Sequence, residues 1–300
     1  MKKTKVLVFG GSSLLGSRFI EQSRSFEIIT PTDTEFDITN RDEVAKIVND
    51  NGPDWIVNFA EFSDIVAAEQ QKEDIEGPAW KTNVEGVQNI LRAFKSTNII
   101  QISTDKVFPG NLEYPGPYAE TKVPPETNEN LTWYGWTKNR AEKLIIERNA
   151  TVLRLSDPVR PIYQVESDFL RDSLKEFADN PNTAFFHDQQ IAISFVDEAV
   201  TALQNIIESD SHAIFHASSD TTTPHELISF VLNQQGAEKT IVNSSSIYDF
   251  PLAQENSNIY PIWGGLKVKM TEEVLDLHFS TWQTVVEYLI GQGLLLPEKQ

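Results

Sequence analysis

Short apolar runs recur along the first half of the chain, and each is followed by apolar residues at helical spacing. Residues 6–9 (VLVF) are apolar at every position, the pattern of a strand buried on both faces. An amphipathic segment follows, reaching about residue 24. Residues 26–30 (FEIIT), 54–60 (DWIVNFA), 98–103 (NIIQIS) and 151–155 (TVLRL) read as further strands. Between them the spacing predicts a helix over 41–50, opened by Thr39 or Asn40 as its cap. It also predicts a long helix over 78–95 and another running through 134–147. Strands alternating with helices predict an α/β fold, a doubly wound parallel sheet with helices on both faces.

After Ser156 the rhythm loosens. Helices are expected over 167–178, over 197–208 with Asp197 as cap, after Thr223 with Pro224 at the favoured first position, and over 281–289. Strands are expected at 184–186, 191–195 and 213–217. No internal repeat, low-complexity run or clean linker divides the chain. The expected division is a sheet domain over 1–155 and a smaller, interleaved lobe over 156–300, with some segments of the second half returning to the sheet.

The 300 residues are enough to bury a core for one large domain or two joined ones. A net charge of −19 argues against duplex nucleic acid or an anionic membrane surface as a partner. With no cysteine there is neither a disulfide framework nor a thiolate zinc site, which suits a reducing cytoplasm. The apolar run behind the basic start of the chain is too short for a signal-peptide core or a membrane span. Five histidines are scattered without an HExxH or a carboxylate–histidine cluster, so no metal is expected. No GxSxG elbow is present.

Chemistry enters with residues 10–16 (GGSSLLG), placed between a strand and a helix. There Gly10 permits a tight turn, Gly16 lets the helix pack closely on the strand, and the helix N-terminus offers N–H groups and positive dipole to a diphosphate. Ser13 stands where a third glycine would let the backbone approach the phosphates. The second strand should end at the adenosine ribose. Its sequence there, Thr30 to Asp33 (TPTD), holds no arginine for a 2′-phosphate, and Asp33 would repel one. NAD or NADP is therefore the expected cofactor, with NAD mildly favoured. Asp33 serves equally well as a turn residue.

Ligands of such sheets sit outside the carboxyl ends of the strands. Ser103-Thr104-Asp105 ends one of them, so Thr104 could hydrogen-bond a substrate carbonyl or merely cap a helix. A loop over 106–130 follows, long enough to suggest function or mobility. Tyr134 and Lys138 then lie one helical turn apart on a common face. An ammonium beside a phenol favours the phenolate, which makes the pair a candidate acid. Tyr118 and Lys122 repeat the spacing, but Pro115, Pro117, Pro124 and Pro125 argue against a helix there.

Taken together, these residues resemble the extended short-chain dehydrogenase/reductase family, and within it the dTDP-4-dehydrorhamnose reductases and their relatives. The stretches that carry the resemblance are 10–16 (GGSSLLG), 36–39 (FDIT), 58–60 (NFA), 82–89 (TNVEGVQN), 103–110 (STDKVFPG), 117–121 (PYAET) and 134–143 (YGWTKNRAEK). The likeness is continuous to about Leu155 and fainter beyond. It implies a Rossmann-type fold with a substrate lobe, a keto-sugar or nucleotide-sugar substrate, and a homodimer. It implies Thr104, Tyr134 and Lys138 as the catalytic triad. Tyr134 would protonate the oxygen formed as hydride reaches a carbonyl carbon. Lys138 would hold the nicotinamide ribose, and Thr104 would orient the carbonyl. Gly10, Ser12, Ser13, Leu14, Leu15 and Gly16 would line the diphosphate, Asp33, Asp37 and Ile38 the adenosine end, and Ala60 and Asn83 the middle of the cofactor. Tyr118 falls on a loop position of the family, not the catalytic one.

Departures from the family gather on the substrate side, where Lys106, Phe108 and Asp157 are the expected contacts. Lys106 replaces an aromatic residue, and Asp157 replaces a tryptophan. Residues 188–194 (DQQIAIS) replace an Asp-Gln-x-Gly-x-Pro-Thr stretch, and no Arg-Pro is visible in 261–268 (PIWGGLKV); Lys267 or Lys269 could take over the anion or be plain surface lysines. The expectation is a working reductase whose sugar is not dTDP-4-dehydrorhamnose. Two alternatives stand beside it: an epimerase of the same superfamily, and a non-catalytic dinucleotide-binding regulatory subunit, a role known among the relatives.

Overall fold

A parallel six-stranded sheet organises the first half of the computed structural model, which describes residues 2–31, 36–161, 167–236, 241–251 and 258–294. Its strands are β1 (Lys5–Phe9), β2 (Glu27–Ile29), β3 (Trp55–Asn58), β4 (Ile99–Thr104), β5 (Thr151–Leu155) and, much later in the chain, β9 (Ile214–Ala217). Their order is β2-β1-β3-β4-β5-β9. β1 pairs in parallel with β2 (Leu7 opposite Ile29) and with β3 (Leu7 opposite Ile56), and β3 with β4 (Val57 opposite Ile100). β1 therefore hands the chain to β2 on one side and has β3 on the other, so the winding direction reverses beside it. A crevice opens at such a reversal, at the carboxyl ends of the strands.

Helices α1 (Leu14–Gln22), α2 (Arg41–Asn51), α5 (Gly86–Ala93) and α6 (Trp133–Glu147) flank this sheet. Two shorter ones, α3 (Ile65–Glu69) and α4 (Pro78–Trp80), lie between β3 and α5. Leu7 and Phe9 of β1, Ile56 of β3, Val87 and Ile90 of α5 and Ile145 of α6 meet in one buried cluster. Each strand that supplies it is apolar at consecutive positions because a helix covers each face. Asn40 is the cap of α2, accepting from the N–H groups of Asp42 and Glu43. The helix expected over 78–95 is interrupted by a π-helical turn, Lys81–Glu85, and ends at Ala93.

Two units divide the chain. One comprises residues 1–108, 123–154 and 200–215, and the other comprises 109–122, 155–199 and 216–300. Residues 109–122, expected with the sheet domain, belong to the second unit. The reason is main-chain pairing. Gly116 N–H donates to Trp263 O (3.0 Å), Tyr118 N–H to Gly265 O (3.0 Å) and Lys267 N–H to Tyr118 O (2.7 Å). No helix forms there, and the Tyr118 hydroxyl is spent on the backbone, donating to Tyr114 O and accepting from Gly110 N–H.

The second unit has its own core, in which Leu170, Leu174, Phe185, Leu227, Val231, Trp282 and Val286 are buried together. Its elements are β6 (Pro158–Val159), α7 (Phe169–Asp179), β7 (Ala184–Phe186), β8 (Ser194–Phe195), the start of α8 (Val196–Ser209), α9 (Pro224–Gln234), β10 (Asn243–Ser245) and the helices Lys269–Leu275 and Trp282–Gly291. Only Ser194 and Phe195 of the strand expected over 191–195 join a ladder, with β6. Ile191 instead makes an isolated antiparallel bridge to Thr222. Asp197 lies inside the first turn of α8, not at a cap, where its charge suits the helix dipole. Thr223 caps α9, with Pro224 next to it. Among the described residues, no helix is long and apolar enough to cross a membrane.

Candidate active site

The glycine turn after β1 has the shape its sequence predicts. Gly10 takes a φ of +70°, and a Cβ there would lie 2.4 Å from the Ala60 nitrogen. A Cβ on Gly16 would lie 2.4 Å from Gly10 O. No side chain fits at either position, so the turn is closed against β3 and against the first turn of α1. Ser13 caps α1: its Oγ accepts from Gly16 N–H (3.1 Å) and donates to Gly10 O (2.9 Å). A serine here therefore shapes the turn from within. Ser12 is exposed on it, whereas the Leu14 and Leu15 side chains are buried, leaving only their backbone for a ligand.

Further along the crevice edge, Asp37 accepts from the N–H and hydroxyl of Thr39 (2.8 Å each), and Ile38 is buried. Asp33 lies outside the described residues. Ala60 N–H donates to Asn58 Oδ1 (3.2 Å). Asn83, in the π-helical turn, has its amide committed. It accepts from Phe62 N–H (2.8 Å) and donates to Phe62 O (3.1 Å) and Thr137 Oγ1 (2.8 Å). It thereby clamps the stretch after β3 to α6.

Thr132 caps α6, accepting from Gly135 N–H at 3.0 Å. Gly135 is glycine for a spatial reason: a Cβ would fall 2.1 Å from Lys106 O, so only glycine lets the helix close on the turn after β4. One turn on, Lys138 is 2% exposed, and its ammonium donates to Ile102 O in β4 (2.7 Å) and to Glu61 Oε2 (2.7 Å). The Tyr134 hydroxyl donates to the same Glu61 oxygen at 3.1 Å. Tyr134 and Lys138 thus meet at one carboxylate, a charge-assisted arrangement in which both donors are buried and the carboxylate reaches water. The sequence reading missed Glu61. Its signal was its place, three residues beyond the end of β3 at the crevice edge of the sheet.

At the end of β4, Thr104 Oγ accepts from Lys106 N–H (3.2 Å) and donates to Asp105 Oδ1 (3.3 Å), capping a short 3-10 turn, Asp105–Val107. The Lys106 ammonium stands 3.7 Å from the same Asp105 oxygen. Phe108, expected to touch substrate, is buried beneath the Arg154 guanidinium, 4.9 Å from its ring centre. That guanidinium is in turn held by both oxygens of Glu142, at 2.8 and 2.6 Å. Asp157 lies in the other unit, with a φ of +35°. Lys269 pairs with Glu273 on the surface (3.9 Å), and Lys267 gives its carbonyl to His216 Nδ1 (2.8 Å). Among the described residues, no group of three or more His, Asp or Glu could hold a metal ion.

Comparison with known proteins gives a concordant result. The family model described as RmlD substrate binding domain matches residues 4–294. The dTDP-4-dehydrorhamnose reductase of Aggregatibacter actinomycetemcomitans is 23% identical over 303 residues, covering 94% of this chain and 97% of that protein. The crystal structure of dTDP-4-dehydrorhamnose reductase from Bacillus anthracis in complex with NADP has the same fold. It aligns with a TM-score of 0.82 at 20% identity, over 97% of this chain and 100% of that one. A Clostridium acetobutylicum dTDP-4-dehydrorhamnose reductase structure gives 0.80 at 20% identity, over 96% and 98%.

Proposed function

This chain belongs to the RmlD substrate binding domain family, and from that premise we propose that it is an NAD(P)-dependent reductase of a keto group on a nucleotide-linked sugar. The observation that carries the reading is the convergence of Tyr134 and Lys138 from one face of α6, with the ammonium anchored on Ile102 of β4. The closed glycine turn at Gly10 and Gly16 fits a dinucleotide, because those two positions carry no side chain and the turn leads into a helix N-terminus.

In this reading the first turn of α1 holds the diphosphate, and Lys138 holds the nicotinamide ribose. Asp37 and Ile38 take the adenosine end, and Ala60 and Asn83 border the middle. A bound coenzyme supplies the hydride. Tyr134 gives its proton to the carbonyl oxygen as charge develops there. Thr104, at the carboxyl end of β4, orients that oxygen. Lys106 and Asp157 stand where the related reductases carry aromatic residues, which supports a sugar other than dTDP-4-dehydrorhamnose. Phe108 is assigned a packing role under Arg154.

The test is oxidation of NADH and NADPH in the presence of a panel of dTDP-, UDP- and GDP-linked 4-keto sugars. Turnover with at least one of them is expected, with dTDP-4-dehydrorhamnose a poorer substrate than the best member. Absence of turnover with every member, by a protein that binds coenzyme, would contradict the reading.

A further inference from the structure

Glu61 has no part in the chemistry derived so far, yet it holds both groups on which that chemistry depends. One oxygen of its carboxylate accepts from the Lys138 ammonium and from the Tyr134 hydroxyl. Those are the two donors that the proposed function assigns to the coenzyme ribose and the substrate oxygen. We propose that Glu61 competes with the coenzyme for Lys138 and Tyr134: a dinucleotide that engages those two donors must displace its carboxylate. This inference rests on the dinucleotide reading of the site and adds to it a residue that sets coenzyme affinity.

The Glu61 side chain is not needed to hold its own backbone. Ala60 N–H is taken by Asn58, and both main-chain groups of Phe62 by Asn83. What the side chain adds is confined to Lys138 and Tyr134. The two partners also differ in their freedom to leave. Lys138 is 2% exposed and has a second acceptor in Ile102 O, whereas the Glu61 side chain is 29% exposed and can turn to water. A carboxylate that leaves toward solvent recovers its hydration, whereas a buried ammonium without an acceptor would not. The arrangement therefore keeps Lys138 poised and makes Glu61 the part that moves. Its position next to Ala60, against which Gly10 of the phosphate-binding turn is packed, also sets its negative charge beside the path of an anionic ligand.

The experiment is calorimetric titration of the full chain with NAD, NADH, NADP and NADPH, comparing the wild type with E61A and the near-isosteric E61Q. The expected result is a Kd about tenfold lower in E61A for the coenzyme bound best, with E61Q between it and the wild type; tenfold corresponds to about 1.4 kcal/mol. The same substitution is then made in a K138M background, where the gain should shrink because the ammonium contact is gone and only that of the Tyr134 hydroxyl is left to release. Equal or weaker binding by E61A overturns the inference. So does an undiminished gain in K138M, which would mean that Glu61 acts only by repelling the ligand's charge. Either result leaves the dinucleotide reading intact. Absence of heat with all four coenzymes, for wild type and variants alike, overturns that reading and this inference with it.

Discussion

The ammonium of Lys138 donates to the main-chain carbonyl of Ile102 across 2.7 Å, tying the second turn of α6 to β4 two residues before that strand's carboxyl end. The bond is buried, so its loss has two separable effects. Lys138→Met removes a charge-assisted bond to Ile102 O, which keeps the Gln101 side-chain amide as a donor (2.9 Å), and should destabilise the fold by about 1.5–3 kcal/mol in urea unfolding. It should also weaken coenzyme binding at least tenfold by calorimetry. Destabilisation with unchanged affinity would mark Lys138 as a packing residue only.

A second buried ion pair stands outside the chemistry. Arg154 is fully buried, and both oxygens of Glu142 hold one edge of its guanidinium. Arg154→Met alone leaves a carboxylate uncompensated in the core and should cost about 3–5 kcal/mol in urea unfolding. Replacing both partners, Arg154→Met with Glu142→Leu, should cost less than that single change.

Two glycines make a paired test of the turn. Gly16→Ala places a methyl group 2.4 Å from Gly10 O and should reduce coenzyme affinity at least tenfold while destabilising the protein by about 1–3 kcal/mol. Gly52, which ends α2 at a φ of +51°, has open space where its Cβ would go. Gly52→Ala should therefore cost only the left-handed backbone, about 1–2 kcal/mol, with coenzyme affinity unchanged. Calorimetry and unfolding on the two variants check both halves.

Burial pushes the Glu198 carboxyl above the usual carboxylate range, with Asp197 and Glu272 adding repulsion and the Ser280 hydroxyl and N–H opposing the shift. A raised folded value means the folded state holds the proton more tightly than the unfolded one. Stability is then lost as pH rises from the ordinary carboxylate value through the raised one. Glu198→Gln should be more stable than the wild type at neutral pH. The difference should close as pH falls below the ordinary value. Unfolding midpoints measured across that window decide it, and a constant difference would contradict the assignment.

Much of the sheet was readable because its strands carry runs of consecutive apolar residues and its helices keep their spacing, so burial on two faces writes itself into residues 6–9 and 55–57. Tyr134 and Lys138 were readable for a similar reason, since a helix turns four residues into one face. The two-residue strand Pro158–Val159 and the helix Lys269–Leu275 are too short to impose a period. The membership of residues 109–122 in the second unit depends on hydrogen bonds to 263–267, more than a hundred positions away. Glu61 escaped because a single acidic residue after a strand has no pattern; only the folded chain brings it to α6. Asn83 shows the converse, a polar residue whose amide is already shared between Phe62 and Thr137.

The central claim is that Tyr134 supplies the proton while Lys138 and the glycine turn hold the coenzyme. It is tested most directly by Tyr134→Phe, assayed for coenzyme oxidation with the best nucleotide-linked keto sugar and titrated in parallel with the coenzyme alone. The expected result is a kcat at least a hundredfold lower, the scale of a lost general acid, in a variant that still binds coenzyme. A variant that binds coenzyme and turns over at the wild-type rate would contradict it.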